Sequence, residues 1–332
     1  MDFTGADNVN KTPDVSVYML TYFHEKYISQ AIESVLSQKT HYKFELVISD
    51  DCSKDGTVGI LKEYEKKYPD VIRVNYNEEN IGIPSNIYKA RCMCRGRYIT
   101  VLSGDDYWIR DDKIETEVGF LENHPEYVAV YNRIEFRMND EKRAYELFPD
   151  KKKYVGREYS IRDYEKCRPL GAHGFVMRNF FLTEEGREYF GQARRISPFV
   201  DDAVDEVLIL RKGNVYILDF TSDAHRVVDS DPAHNNYNSR YSRLEKFTHH
   251  INLLNGMSSE WHEEIDFVNW YAKFYTMGLV SMLFDRNKAD YKKVFATIPG
   301  CYKKPFHRSI YIRVIPQLTA AVANRINRKL RS

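Results

Sequence analysis

Cysteine is sparse and unpatterned. Cys52, Cys92, Cys94, Cys167 and Cys301 form no C-x-x-C pair and no regular framework, which argues against a disulfide scaffold and fits a reducing, cytoplasmic compartment. No apolar run reaches the roughly 20 residues of a membrane-spanning helix; the longest apolar stretch, 268–284, falls short and contains Lys273. Met1 to Lys11 is polar and lacks the basic-then-apolar layout of a secretory signal, so residues 1–13 read as a flexible leader. Glycine is missing from the first strand-to-helix turn, Thr21-Tyr22-Phe23-His24. That excludes a G-x-G-x-x-G dinucleotide loop there, and a Walker-type loop is lacking as well. Acidic residues stop at Asp290, while ten Lys or Arg follow it. The first 290 residues therefore hold 39 basic against 48 acidic groups, net −9, beneath an overall charge of +1.

What is present is a regular alternation. Val15–Thr21, Phe44–Ser49, Val71–Tyr76 and the run from Tyr98 to Leu102 are β-branched or apolar enough for buried strands. Between them, 25–38, 58–68 and 86–95 repeat apolar residues at helical spacing, and Pro69 and Gly96 act as stops. Strands alternating with helices of about a dozen residues predict a doubly wound, mostly parallel α/β sheet, whose ligands bind at the carboxyl ends of the strands.

Three such ends carry chemistry. Thr21-Tyr22 closes the first strand, Asp50-Asp51 the second, and Asp105-Asp106 the fourth. One Asp pair alone would read as a solvated turn. Two pairs and a hydroxyl at neighbouring strand ends read as a crevice for a cation, and carboxylates of this kind suit Mg²⁺ or Mn²⁺ held together with substrate phosphates. A nucleotide bound without a glycine-rich loop would have its diphosphate neutralised by such a metal.

Further along, 111–123 reads as a helix and 127–137 as a strand, whereas 139–166, with Lys151 to Lys153, reads as a charged, solvated loop. Gly171 to Gly174 before Phe175-Val176-Met177 marks either a turn or a close backbone approach. Asp201 and Asp202 stand at the start of a helix over 203–212, where one of them suits an N-cap. Val215–Leu218 reads as a short strand, Ala224 to Asp229 leads into a polar loop, and helical patterns fill 244–254, 260–284 and 289–298.

Taken together, Val15-Ser16-Val17 with Thr21-Tyr22, Ala31 to Gln38, Val47 to Thr57, Asn80-x-Gly82, Gly96 to Ile99 and Ser103 to Trp108 resemble family 2 glycosyltransferases of the GT-A nucleotide-diphospho-sugar fold. The resemblance spans about the first 220 residues. It implies a catalytic domain over 14–225, with a donor half near 14–110 and an acceptor half near 111–225, followed by a helical region over 226–332. It further implies that Asp51 accepts the base N3–H of a UDP-type donor in a pocket lined by Thr21 and Tyr22. Asp106 would ligate the metal, and Asp105 the ribose or a metal-bound water. Asp202, with Asp201 as its competitor, would be the general base of a typically inverting transfer. Phe23 stands where the family usually has Asn, and Ser103 where many members have a further Asp; both departures touch the donor contacts. The family's closing Tyr-Arg-x-His element has its counterpart in Ala224-His225-Arg226, which makes His225 or His234 the candidate imidazole ligand.

The resemblance predicts a metal-dependent glycosyltransferase acting on a glycan or lipid-linked acceptor in surface polysaccharide synthesis. The rivals are a non-catalytic sugar-nucleotide or glycan-binding subunit and a sugar-phosphate nucleotidyltransferase; the latter usually begins with a Gly-rich phosphate loop, absent here. The basic tail over 291–332 suits peripheral contact with an anionic inner membrane face, each basic residue near the surface adding about 1 kcal/mol, or a solubilising helix on the acidic body. No nucleic-acid module accompanies those charges.

Overall fold

The computed structural model describes residues 12–138, 146–149, 154–167, 170, 174–196, 202–227, 241–285 and 287–303. Lys151 to Lys153, Asp201, His234 and the tail from 304 onward, all singled out in the sequence, lie outside the described residues.

The four apolar runs form β1 (Val15–Thr21), β2 (Phe44–Asp50), β3 (Ile72–Tyr76) and β4 (Tyr98–Ser103), parallel in the order β3-β2-β1-β4. Three helices connect them: α1 (Ile28–Leu36), α2 (Thr57–Lys67) and α3 (Ile83–Met93). α3 starts earlier than its periodicity indicates, because Pro84 fits the first turn, where its missing N–H costs nothing. Val15, Val17, Met19, Leu46 and Ile48 are fully buried with Ile28, Ile32 and Val35 of α1. Burying each such side chain contributes about 1.5–3 kcal/mol. The register levels the strand ends: Thr21 pairs with Asp50, and Leu20 with Ser103.

The sheet continues past β4 through β9 (Phe175–Arg178), β6 (Ala129–Met138), β10 (Val215–Val227) and β5 (Tyr107–Trp108), in that order. β5 (Tyr107–Trp108) and α4 (Lys113–Asn123) precede β6 (Ala129–Met138). β9 (Phe175–Arg178) lies antiparallel between β4 and β6, and so interrupts the parallel order. Gly174, just before it, has φ +74 and faces Asn132 so closely that a Cβ would overlap its Oδ1. The glycine is therefore a close backbone approach.

Two expectations are overturned. The segment expected to be a solvated loop contains β7 (Glu146–Phe148) and β8 (Arg157–Tyr159), which pair with β6 and β10. The short strand at 215–218 is the first part of β10 (Val215–Val227), parallel to β6 and irregular in register between Ile217 and Asp223. Those irregularities admit Asp219, Thr221, Ser222 and Asp223, residues that by composition look like a loop.

α6 (Glu184–Gly191) and α7 (Ala193–Ile196) follow β9, and α8 (Asp202–Lys212) precedes β10. These elements belong to a first compact unit over 1–160 and 170–234. A second unit comprises 161–169 and 235–332. Within it, α5 (Ile161–Glu165) packs on α10 (Val268–Phe284): the Trp270 indole N–H donates to the Tyr164 carbonyl at 2.8 Å. α9 (Arg243–Trp261) opens with a capping box of Ser242 and Glu245, and α11 (Lys288–Thr297) and α12 (Gly300–Lys303) complete the unit. Among the described residues no helix is long and apolar enough to cross a membrane.

Candidate functional site

At the end of β2 the two aspartates do different work. Asp50 faces inward and accepts from the Ser53 hydroxyl at 2.5 Å and the Ser53 amide at 3.0 Å; burial pushes its carboxyl up, against those hydrogen bonds. Asp51 turns toward the loop before α3. Its Oδ1 accepts from the Ile81 amide at 2.9 Å and from Asn77 Nδ2 at 3.2 Å, and its Oδ2 accepts from the Gly82 amide at 3.0 Å. Asn77 is held in turn by Asn75 and Lys89, and by its own bond to Asn86, whose side chain also bonds Ser49. A carboxylate offers about four acceptor positions, so three are committed.

Beside Asp51 lies the end of β1. The Thr21 carbonyl accepts the Asp51 amide at 2.9 Å, and the Thr21 hydroxyl is buried without a hydrogen-bond partner among the described residues. Tyr22 and Phe23 are half-buried and meet edge to face at 4.5 Å. Phe23 (φ 59) and Cys52 (φ 68) both adopt the left-handed conformation, one at each of these neighbouring strand ends. Backbone in that region is unfavourable for such side chains and collects at ligand sites. Here it is held by the Phe23 amide on Ser53 Oγ and the His24 amide on Thr57 Oγ1, each 3.0 Å.

At the end of β4, Asp106 is buried and Asp105 half-buried. Asp106 Oδ1 accepts the Arg226 amide at 2.8 Å, and Oδ2 lies 3.0 Å from Nδ1 of His225. β10 supplies both partners, because its Asp223 and Ala224 pair with Trp108 and Tyr107 of β5. Burial would lower the proton affinity of His225, but the charges of Asp106 and Asp105 prevail and raise its pKa to about 9. His24 Nε2 stands 3.8 Å from the Asp105 carboxylate. Each aspartate at the end of β4 thus has an imidazole near it. The sequence names His225 as one of two candidate imidazole ligands and passes over His24, since nothing in the local sequence of His24 distinguishes it from a turn residue. Among the described residues no three or more His, Cys, Asp or Glu are gathered to hold a metal unaided.

Two residues before His225 on β10, Asp223 belongs to a buried charged cluster. Lys113 Nζ contacts both Glu117 oxygens at 2.9 and 3.0 Å and Asp223 Oδ2 at 3.1 Å. Asn132 Nδ2 donates to Glu117 and Asp223 at 2.7 and 2.6 Å. Burial opposes the charge on Lys113, yet the two carboxylates hold it protonated above the usual lysine range. Sequence reading missed this cluster, because its members are spread from 113 to 223.

Asp202 opens α8, is exposed, and has no hydrogen-bond or ion-pair partner among the described residues. One turn deeper, Asp205 is buried against Arg91 at 2.6 Å. Thr21, Tyr22, Asp51, Asp105 and Asp106 therefore share one row of strand ends, and Asp202 stands on a separate helix.

Comparison with known proteins bears on the family and the fold. The family described as glycosyl transferase family 2 matches residues 16–185. An uncharacterized protein of Mycobacterium tuberculosis is 30% identical over 169 residues, 51% of this chain and 45% of that protein. The putative teichuronic acid biosynthesis glycosyltransferase TuaG of Bacillus subtilis is 42% identical over 112 residues, 34% of this chain and 43% of that protein. The aligned region thus spans about half or less of these relatives. The S. aureus TarS 1–349 structure in complex with UDP-GlcNAc superposes with a TM-score of 0.52 at 16% identity, covering 88% of this chain and 92% of that one; it shares the fold. The chain belongs to glycosyl transferase family 2.

Proposed function

We propose that the chain transfers a sugar from a UDP-sugar donor to a hydroxyl of a glycan or lipid-linked acceptor, with inversion and with help from Mn²⁺ or Mg²⁺. The observation that carries this reading is the level row of Thr21, Asp51, Asp105 and Asp106 at adjoining strand ends. The UDP preference rests on Asp51. With three acceptor positions taken by Asn77, Ile81 and Gly82, one remains, which suits the single N3–H of uracil better than the two adjacent donors of guanine. The buried, unpartnered Thr21 hydroxyl would gain a partner from the same base.

Asp106 and Asp105 would hold the cation. Two carboxylates are a sparse set, which fits a hard cation that takes further ligands from substrate phosphates. When bound, that ion would neutralise the charge gathering on the departing diphosphate. Asp202, exposed at the start of its helix, is the proposed base: it would accept the acceptor hydroxyl's proton as the oxygen attacks the anomeric carbon and the bond to the diphosphate breaks. Such proton transfer is typically worth ~10²–10⁴-fold. The basic tail is proposed to rest on an anionic membrane surface; equal binding to anionic vesicles after removal of 301–332 would dismiss that idea.

The direct test is calorimetric titration with UDP, with and without Mn²⁺, on the protein and on Asp106→Ala, followed by a screen of UDP-sugars for UDP release. Metal-dependent UDP binding abolished by the substitution supports the site, and binding of another nucleotide instead moves the base assignment away from Asp51. Asp202→Asn separates an enzyme from a binding subunit: an enzyme loses turnover and keeps donor affinity.

A further inference from the structure

Arg226 gathers contacts that neither the apolar pattern nor the aspartates predict. It is 3% exposed, although a guanidinium is costly to bury. Its peptide N–H donates to Asp106 Oδ1 at 2.8 Å, and Nη1 donates to the backbone carbonyl of Asp105. Nη2 donates to Gln30 Oε1 at 2.6 Å. The guanidinium plane lies over the rings of Tyr27 and Tyr107, 4.5 and 5.2 Å from their centroids. One residue of β10 thereby fixes the side chain of one aspartate, the backbone of the other, and the first turns of α1.

We infer that Arg226 is the positioning residue of the acidic strand end, holding Asp105 and Asp106 in the geometry that receives a divalent cation and the diphosphate of the donor. The inference rests on the cation and UDP reading above and adds to it the group that sets the site's shape. Lysine is a poor substitute, because a single ammonium can neither donate in two directions from one plane nor stack between two tyrosines. Second-layer groups of this kind are typically worth about 10–100-fold in metal affinity.

The test compares the gain in UDP affinity on adding Mn²⁺, relative to EDTA, in the wild type, Arg226→Lys, Tyr27→Leu and Gln30→Leu. Circular dichroism and thermal unfolding are followed in parallel. Arg226→Lys is expected to lose about tenfold or more of the manganese-dependent gain, and to lose distinctly less of the metal-free UDP affinity. Gln30→Leu, at an exposed position, should lose less in the same sense. A full manganese gain in Arg226→Lys overturns the inference, and so does an equal loss with and without metal, which marks Arg226 as a support of the fold only. If Arg226→Lys does not fold, an unchanged gain in both Tyr27→Leu and Gln30→Leu overturns it. A wild type without any manganese gain overturns the cation reading itself, and the inference with it.

Discussion

Asp106 and His225, 119 positions apart in the chain, meet at 3.0 Å because β10 reaches back to pair with the two residues that follow Asp106. The aspartate is buried where an amide and an imidazole meet. Asp106→Asn keeps its shape and removes its charge. We expect the fold to persist and the manganese-dependent affinity for UDP to fall at least about tenfold, measured by calorimetry; an unchanged affinity would remove Asp106 from the site.

Asp51 should set the nucleobase. Wild-type protein is expected to prefer UDP over GDP in competition, and Asn77→Ala, which frees one acceptor position on Asp51, should narrow that preference. Equal competition by GDP in the wild type would show that the occupied positions of Asp51 do not discriminate.

The buried Lys113, Glu117 and Asp223 should tolerate no single deletion. Lys113→Ala leaves two carboxylates facing each other without a counter-charge, and removing one partner of a buried ion pair costs about 3–5 kcal/mol. Urea unfolding measures the loss. A shift within experimental error would mean that the cluster is hydrated or neutral in the native protein.

His250 gives the second unit an acid sensitivity. Its ring stacks on Phe274 at 4.3 Å. Burial, followed by the charges of Lys273, His249 and Lys246, lowers its pKa from 6.5 to about 4. Above 6.5 both folded and unfolded chains hold it neutral, and its contribution to stability is complete. As pH falls toward 4 the unfolded chain takes the proton first, so stability drops by an amount on the order of 2 kcal/mol. His250→Phe should flatten urea midpoints between pH 4 and 6.5, and an unaltered slope would place the titration elsewhere.

The amino-acid sequence determined the parallel half of the sheet and the ends of its strands. β1, β2 and β4 are buried on both faces, and their apolar runs stop at Thr21, Asp50 and Ser103, so the positions of Asp51, Asp105 and Asp106 just beyond the strands were legible from local pattern alone. The tertiary structure decided what those carboxylates touch. Asp51 is spent mainly on Asn77 and the amides of Ile81 and Gly82, and Asp106 is matched with His225 and Arg226. Only the first four residues of β10 read as a strand, because Asp219 to Arg226 is mostly polar. Its burial is made affordable by partners on β5, β6 and α4 that lie far away in the chain. Hydrophobic periodicity records which face of an element avoids water, whereas a buried polar residue is stable only through the particular donor or acceptor that folding brings to it, and that partner leaves no trace in its own neighbourhood of the sequence.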